Sequence, residues 1–265
     1  MGLPAAALTA RLGETFRELA GRAPAGWWAA PGRVNVIGDH TDYNEGFALP
    51  MAIDRHVLVA GASRGDGEVR VRSLQQGYAA FRVGGLAPGS VRGWAAYLAG
   101  VVWALRDTGH DVGGADLALD STVPAGSGLS SSAALECAAC LALCDLYGLG
   151  LTTAEIARLA QRAENDYVGM PCGVMDQLAA THGRAGNVLL LDAREVAVRP
   201  EPFDLPGAGL ALAVIDTRAE RRLIEGGYAE RRSACEAAAR MLGVRALRDV
   251  AVEGLAAATE RLAPT

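Results

Sequence analysis

The eleven residues PAGSGLSSSAA, Pro124–Ala134, lie between a short apolar run, Ala115–Leu119, and an alanine-rich stretch that continues as SSSAALECAACLALCDLYG. The first flank reads as a strand and the second as a long helix, so the string is the connection of a strand, loop, helix unit. Small residues in such a loop let backbone amides approach an anion closely. The helix N-terminus behind it adds unpaired N–H groups and a favourable dipole. Ser130, Ser131 and Ser132 add hydroxyls able to meet phosphate oxygens or a metal ion. An ordinary glycine turn followed by a serine N-cap has the same composition, and the loop alone does not separate the two.

On the N-terminal side, Leu8, Leu12, Phe16 and Leu19 recur at helical spacing with charges between them, which predicts a helix and not a leader peptide. WWAAPGRVNVIG reads as a strand with a Pro-Gly break; ALPMAIDRHVLVAGASR and EVRVRSL read as two more, and Trp94–Leu105 as a helix. On the C-terminal side, Thr153 is a plausible cap for a helix through AEIARLAQRAEND, a further helix follows, and NVLLLD returns to strand character. PEPFDLPGAG holds three of the 11 prolines and is the candidate linker; beyond it come a strand, LALAVID, and two helical stretches.

The chain of 265 residues is 51% hydrophobic and 21% charged, ample for a buried core. Its 25 basic against 30 acidic residues give a net charge of -5, so nucleic acid is not an expected partner. Every basic residue is Arg, which excludes a Walker-type lysine, a Schiff-base lysine and a lysine general base. Any phosphate site must then use backbone N–H groups, Arg and a metal ion. The apolar stretch Ala133–Leu151 is interrupted by Glu136, Asp145 and two glycines, so it reads as a buried helix and no membrane partner is expected. Five cysteines without a leader suggest a reducing, cytoplasmic setting. Cys137, Cys140 and Cys144 share one helical face, read as a core stripe in preference to a metal cluster, and no zinc pattern is legible among the four histidines.

Two further strings carry chemistry. APGRVNVIGDHTDYNEG, Ala30–Gly46, sets Asp39, His40, Thr41, Asp42, Tyr43 and Asn44 in succession after an apolar strand. Adjacent sugar hydroxyls suit such a run of carboxylates and imidazole, although an Asx-rich turn uses the same residues. AENDYVGMPCGVMDQLAATHG, Ala163–Gly183, offers Glu164 on a helix and Asp176 at the first turn of the next one, where it could equally serve as a charge on the helix dipole.

Together the three strings resemble the galactokinases, members of the small-molecule kinase (GHMP) superfamily that includes homoserine, mevalonate and phosphomevalonate kinases. APGRVNVIGDHTDYN looks like the family's galactose motif, PAGSGLSSSAA like its ATP motif and CGVMDQ like the segment with its catalytic aspartate; the likeness runs from about Trp28 to about Glu236. The resemblance implies an α+β fold of two domains. Residues 1–198 would form an N-terminal galactose- and ATP-binding domain of mixed sheet and helices, and residues 199–265 the beginning of an α+β C-terminal domain.

Carried over residue by residue, the resemblance makes Asp176 the base facing the C1 hydroxyl of galactose. Arg33 pairs with it and counters charge on the transferring phosphoryl group. Asp39, His40, Thr41, Asp42, Gly173 and Tyr228 would bind the sugar. Gly126, Ser127, Gly128, Leu129, Ser130, Ser131 and Ser132 would wrap the phosphates of ATP, and Ser132 with Glu164 would hold Mg2+. A monomer acting on a small molecule is expected.

Three departures bear on this. Asp39 stands where most relatives have Glu. DTRAERRLIEG places Arg221 near a histidine common in the family. The chain reaches Thr265 without a glycine-rich string like GGGFGG that relatives carry further on, so the expectation is a C-terminal domain present only in part and little activity from these 265 residues alone. The alternatives are a related kinase for another sugar, such as N-acetylgalactosamine, and a sensor that binds sugar and ATP without turnover; Ser132 and Ala133, absent from the yeast type of sensor, favour a kinase.

Overall fold

Strand β1 (Gly26–Asn35) pairs antiparallel with the long β2 (Pro50–Arg64), and β2 pairs antiparallel with β3 (Gly114–Ser121). On the far side of β3, β4 (Glu68–Ser73) runs parallel to it and closes the sheet through an antiparallel hairpin with β5 (Gly77–Arg82). The sheet is therefore mixed, in agreement with the expectation. The computed structural model describes the backbone of residues 5–215 and 221–262, and the side chains of 8–215 and 227–262.

The sheet is covered on both faces. Helix α1 (Ala5–Ala20) lays Leu12 and Phe16 on Ala60, Ala62 and Ala118, whose small side chains let the helix sit close. On the other face, α2 (Ala95–Asp107) and α3 (Ser131–Leu146) pack Leu98, Val102, Leu105, Cys137, Cys140 and Leu143 against Val57, Val59, Leu117 and Leu119. Cys137, Cys140 and Cys144 are buried in this core, as the stripe reading expects. Strand β3 is buried along nearly its whole length. Its two carboxylates, Asp116 and Asp120, are neutralised by Arg64 and Arg70 in one case and by Arg11 in the other.

Helix α4 (Thr153–Arg162) is capped by Thr152, not by Thr153: Glu155 N–H donates to Thr152 Oγ1 at 3.3 Å and Thr152 N–H to Glu155 Oε2 at 2.8 Å. This reciprocal box needs the cap three residues before the glutamate, which only Thr152 satisfies. The helix does not continue through Asp166 in regular form. It widens into a π turn over Ala163–Val168 and stops at Gly169, which has φ 82°. Helix α5 (Met175–His182) then begins.

A second sheet joins a short β6 (Phe47–Ala48), which follows the Asp39–Gly46 loop, to β7 (Asn187–Asp192) and β8 (Ala197–Pro202), all antiparallel. The hairpin strands β5 and β8 have weak alternation and were not foreseen; β8 takes the first prolines of the expected linker, which an edge strand tolerates. LALAVID is a correction: its described residues, 210–215, form no strand and pair with no sheet, and Leu210, Val214 and Ile215 are exposed. An apolar run makes a strand only where a neighbouring strand takes up its N–H and C=O groups. Helices α6 (Arg221–Leu242) and α7 (Leu255–Leu262) end the described chain. No described helix is long and apolar enough to cross a membrane.

Candidate active site

The Pro-Gly break in β1 has a structural purpose. A register shift falls between Pro31 and Arg33, and a Cβ on Gly32 would come within 2.6 Å of the Leu129 carbonyl oxygen. Glycine there lets the strand touch the Pro124–Ala134 loop, and Arg33 N–H donates to that same carbonyl at 3.2 Å. The bulge aims the Arg33 side chain along the loop.

Arg33 grips Asp176 with both arms of its fork, Nε to Oδ1 at 2.6 Å and Nη2 to Oδ2 at 2.8 Å, and donates its Nη1 to the Gly128 carbonyl at 2.7 Å. Ser130 Oγ donates to Asp176 Oδ2 at 2.6 Å. Ser130 has φ 58°, a left-handed conformation that costs a non-glycine residue energy, and its bond to Asp176 is part of what holds it there. Strand β1, the loop and the first turn of α5 thus meet on one carboxylate.

Asp42 and Gly173 approach so closely that a Cβ on Gly173 would lie 1.8 Å from Asp42 Oδ2. Asp42 accepts from the Tyr43 N–H at 3.0 Å and the Met175 N–H at 3.4 Å; burial first, and the charge of Asp176 second, push its carboxyl above the usual range. Gly173 N–H donates to the Tyr228 hydroxyl at 3.4 Å, and burial raises that phenol's pKa. Tyr228 in turn packs at a tilt against His40 and edge to face against Tyr43, with ring centroids 5.4 Å away in each case. Asp39 accepts from Asn35 Nδ2 at 2.8 Å.

Glu164 projects from the π turn and is buried. Its Oε2 accepts from Gln177 Nε2 at 2.8 Å, Ser132 hydrogen-bonds to the same carboxylate, and burial is the main cause that raises its pKa. Behind it sits Glu136, fully buried one helical turn beyond Ser132; both its oxygens lack a well-formed partner, and burial together with the charge of Glu164 pushes its carboxyl well up. Glu136 was read from sequence only as a charge interrupting an apolar run.

Arg33, Asp39, His40, Asp42, Gly128, Ser130, Ser132, Glu164, Gly173, Asp176 and Tyr228 all line one cleft of about 500 Å³. Thr41 does not. Its hydroxyl donates to the carbonyls of Gly38 and Phe47 at 2.7 and 2.6 Å, closing the loop from behind. Ser127 Oγ donates to the Pro124 carbonyl at 2.7 Å and so fixes the turn. Ser131 and Ser132 also border a second, largely apolar cavity of about 350 Å³ formed with Val57, Trp94, Tyr97, Leu119, Val123 and Leu135. These apolar residues were legible only as core, because core and pocket are written alike. Arg221 lies outside the residues whose side chains are described.

A mixed sheet with a glycine-serine loop running into a helix, beside an Arg-Asp pair, defines a small-molecule kinase of the GHMP type. Residues 96–184 match the family described as GHMP kinases N terminal domain, and residues 14–63 the galactokinase galactose-binding signature. The chain belongs to the galactokinase family: it is 52% identical over 258 residues to a galactokinase of Streptomyces coelicolor, covering 97% of this chain and 67% of that protein. It is also 48% identical over 230 residues to a galactokinase of Mycobacterium tuberculosis, covering 87% of this chain and 63% of the relative. The crystal structure of Lactococcus lactis galactokinase complexed with galactose superposes with TM-score 0.83 at 26% identity, over 97% of this chain and 68% of that one. The chain thus spans about two thirds of the length of these relatives.

Proposed function

We propose that this chain carries the catalytic centre of an ATP-dependent kinase that phosphorylates D-galactose at its C1 hydroxyl, giving galactose 1-phosphate and ADP. The observation that carries the reading is the Arg33–Asp176 pair, set at the junction of the Gly128–Ser132 segment and the cleft lined by Asp39, His40 and Asp42. The likeness to galactokinases, one of them solved with galactose, supports the choice of sugar.

In this reading Asp39, His40, Asp42, Gly173 and Tyr228 bind the sugar, while Thr41 shapes the loop that presents them. Asp176 accepts the C1 hydroxyl proton as the oxygen attacks the γ-phosphoryl group in line, and ADP departs. The fixed guanidinium of Arg33 opposes the negative charge that accumulates on the transferring group. Backbone N–H groups of Gly126–Ser132 cradle the phosphates without a lysine, and the apolar cavity beyond Ser131 takes the base. Ser132 and Glu164 fit Mg2+: they are hard oxygen donors already in contact, and one carboxylate with one hydroxyl suits a cation that keeps substrate phosphates and water as its other ligands. Bound there, the ion would neutralise charge on the phosphates.

We also propose the division into residues 1–198 and a second domain starting at 199; β8 (Ala197–Pro202) crosses this join, and among the described residues sheet pairing ends with it at Pro202. A monomer in a reducing cytoplasm is the setting proposed, and the five unpaired thiols suit it. The test is sugar-dependent ADP release across a panel of galactose, glucose and N-acetylgalactosamine. A kcat/KM for galactose far above glucose supports the reading, since a wrong epimer leaves buried polar groups unpaired; comparable values on galactose and glucose refute it, and a preference for N-acetylgalactosamine would transfer the assignment to that sugar.

A further inference from the structure

His40 occupies a left-handed backbone conformation, φ 61°, which brings its ring into the cleft. Its Nδ1 lies 2.6 Å from the Tyr43 hydroxyl oxygen, and the two rings meet edge to face with centroids 5.7 Å apart. Tyr228 packs against both, tilted on His40 and edge to face with Tyr43. The imidazole is therefore fixed in position by two aromatic neighbours, and one of its nitrogens is already engaged.

The chemistry of the pair decides the direction of that bond. A phenol is a good O–H donor and a poor acceptor, because its oxygen lone pair is delocalised into the ring, whereas the unprotonated nitrogen of a neutral imidazole is a strong acceptor. Burial first, with Cys235 and the Asp42 carboxylate as neighbours, pushes the Tyr43 phenol up to about 12, so the hydroxyl keeps its proton. With Nδ1 accepting, the ring proton resides on Nε2. Asp39, Asp42 and Asp176 present acceptor oxygens to the cleft, and three of the five N–H groups of Arg33 are taken by Asp176 and Gly128, so a donor at His40 adds to the Tyr228 hydroxyl on a lining rich in acceptors.

We propose that Tyr43 is a positioning residue whose hydroxyl donates to His40 Nδ1, holds the imidazole as its Nε2–H tautomer, and so makes His40 a hydrogen-bond donor to an oxygen of the bound sugar. The inference deepens the sugar-kinase reading and rests on it for the identity of the ligand. Recognition at His40 then favours a hydroxyl that can accept there while donating to a neighbouring carboxylate, the two-way pattern that a sugar hydroxyl supplies.

The test is nitrogen NMR of the chain carrying 15N-labelled histidine, with the His40 signals assigned by their loss in His40→Gln, alongside calorimetric titration with galactose. Wild type is expected to show an unprotonated His40 Nδ1 displaced by an accepted hydrogen bond. In Tyr43→Phe, which keeps the edge-to-face ring contacts, that displacement disappears and galactose affinity falls about threefold to tenfold, the range for one uncharged hydrogen bond. A protonated Nδ1 in wild type, or the same Nδ1 signal in both proteins, would overturn the tautomer assignment. Unchanged galactose affinity in Tyr43→Phe would overturn the role toward sugar. If wild type binds no galactose, the sugar-kinase reading fails and takes that role with it, whereas the nitrogen shifts still decide whether Tyr43 fixes the tautomer.

Discussion

Replacing Asp176 by Asn exchanges one carboxylate oxygen for an amide NH2 and removes the negative charge that faces Arg33. With the amide oxygen kept at the Oδ1 position, the bond from Arg33 Nε survives; the NH2 group then sits where Oδ2 accepted from Arg33 Nη2 at 2.8 Å and Ser130 Oγ at 2.6 Å. The serine hydroxyl can rotate and accept, but Nη2 faces a second donor. One charge-assisted bond is lost outright, worth roughly 1.5–3 kcal/mol. Because the Arg33 and Asp176 side chains are 15% and 25% exposed, water recovers part of it, and a destabilisation of about 2 kcal/mol is expected. At roughly 2–4 °C per kcal/mol for a chain of this size, Tm should fall by about 4–8 °C. Loss of a positioned base should lower kcat by ~10²- to 10⁴-fold, with Mg-ATP binding kept. Thermal melting and galactose-dependent ADP release, run on the same preparations, separate the two effects. Wild-type kcat in the variant would remove Asp176 from the chemistry and leave it a strut; an unchanged Tm would refute the energetic value given to the Arg33 fork.

Gly173→Ala should lower kcat/KM for galactose by about 10²-fold with the fold intact, because the methyl would displace the Asp42 carboxylate from 1.8 Å away; calorimetry with galactose and far-UV circular dichroism check it. Thr152→Ala should cost ~1 kcal/mol in chemical denaturation and leave KM for galactose unaltered, since the capping box at α4 touches neither cavity. Glu136 keeps its proton in the folded chain at pH values where the unfolded chain has released it, so its contribution to stability is present at low pH and declines as pH rises above the ordinary carboxylate value. Glu136→Gln should therefore gain stability over wild type by up to ~1.4 kcal/mol for each pH unit climbed above about 5. Urea titrations of both proteins from pH 5 to about pH 8 would show parallel curves if the reasoning is wrong.

The main sheet was legible where burial writes a clear pattern: β2 and β3 carry long apolar runs because both faces of the sheet are covered, and α1 shows its Leu12 and Phe16 stripe. Strand β5, GYAAFR, was not, since a hairpin at the sheet edge buries only Phe81 well. LALAVID erred in the opposite direction. It is an unbroken apolar run of the kind a buried strand carries, but pairing is a property of two segments and a single one cannot report it. At the site, the three strings contained every residue that lines the cleft except Tyr228 and Ala229, yet not what each does there. That Thr41 and Ser127 stabilise turns with their hydroxyls depends on which carbonyls the folded loop brings near. Glu136 was hidden for another reason: a carboxyl on a helix ordinarily marks an exposed face, and only the packing of α3 beneath Glu164 makes this one buried.

The lack of lysine clarifies how the centre is assembled. Arg33 bonds at once to two oxygens of Asp176 and to the Gly128 carbonyl, and these groups come from an α5 turn and a loop that lie 143 and 95 residues away in sequence. An ammonium is a compact charge that cannot reproduce a planar fork spanning a carboxylate while a third N–H reaches a carbonyl. Guanidinium can, and it fixes three segments relative to one another without any covalent link. The strained Ser130 is held by the same carboxylate, so the loop geometry that would meet the phosphates and the carboxylate that would take the sugar's proton are parts of one hydrogen-bonded unit. Displacement of either segment breaks bonds to the other, and this coupling keeps the Gly128–Ser130 segment in register with Asp176.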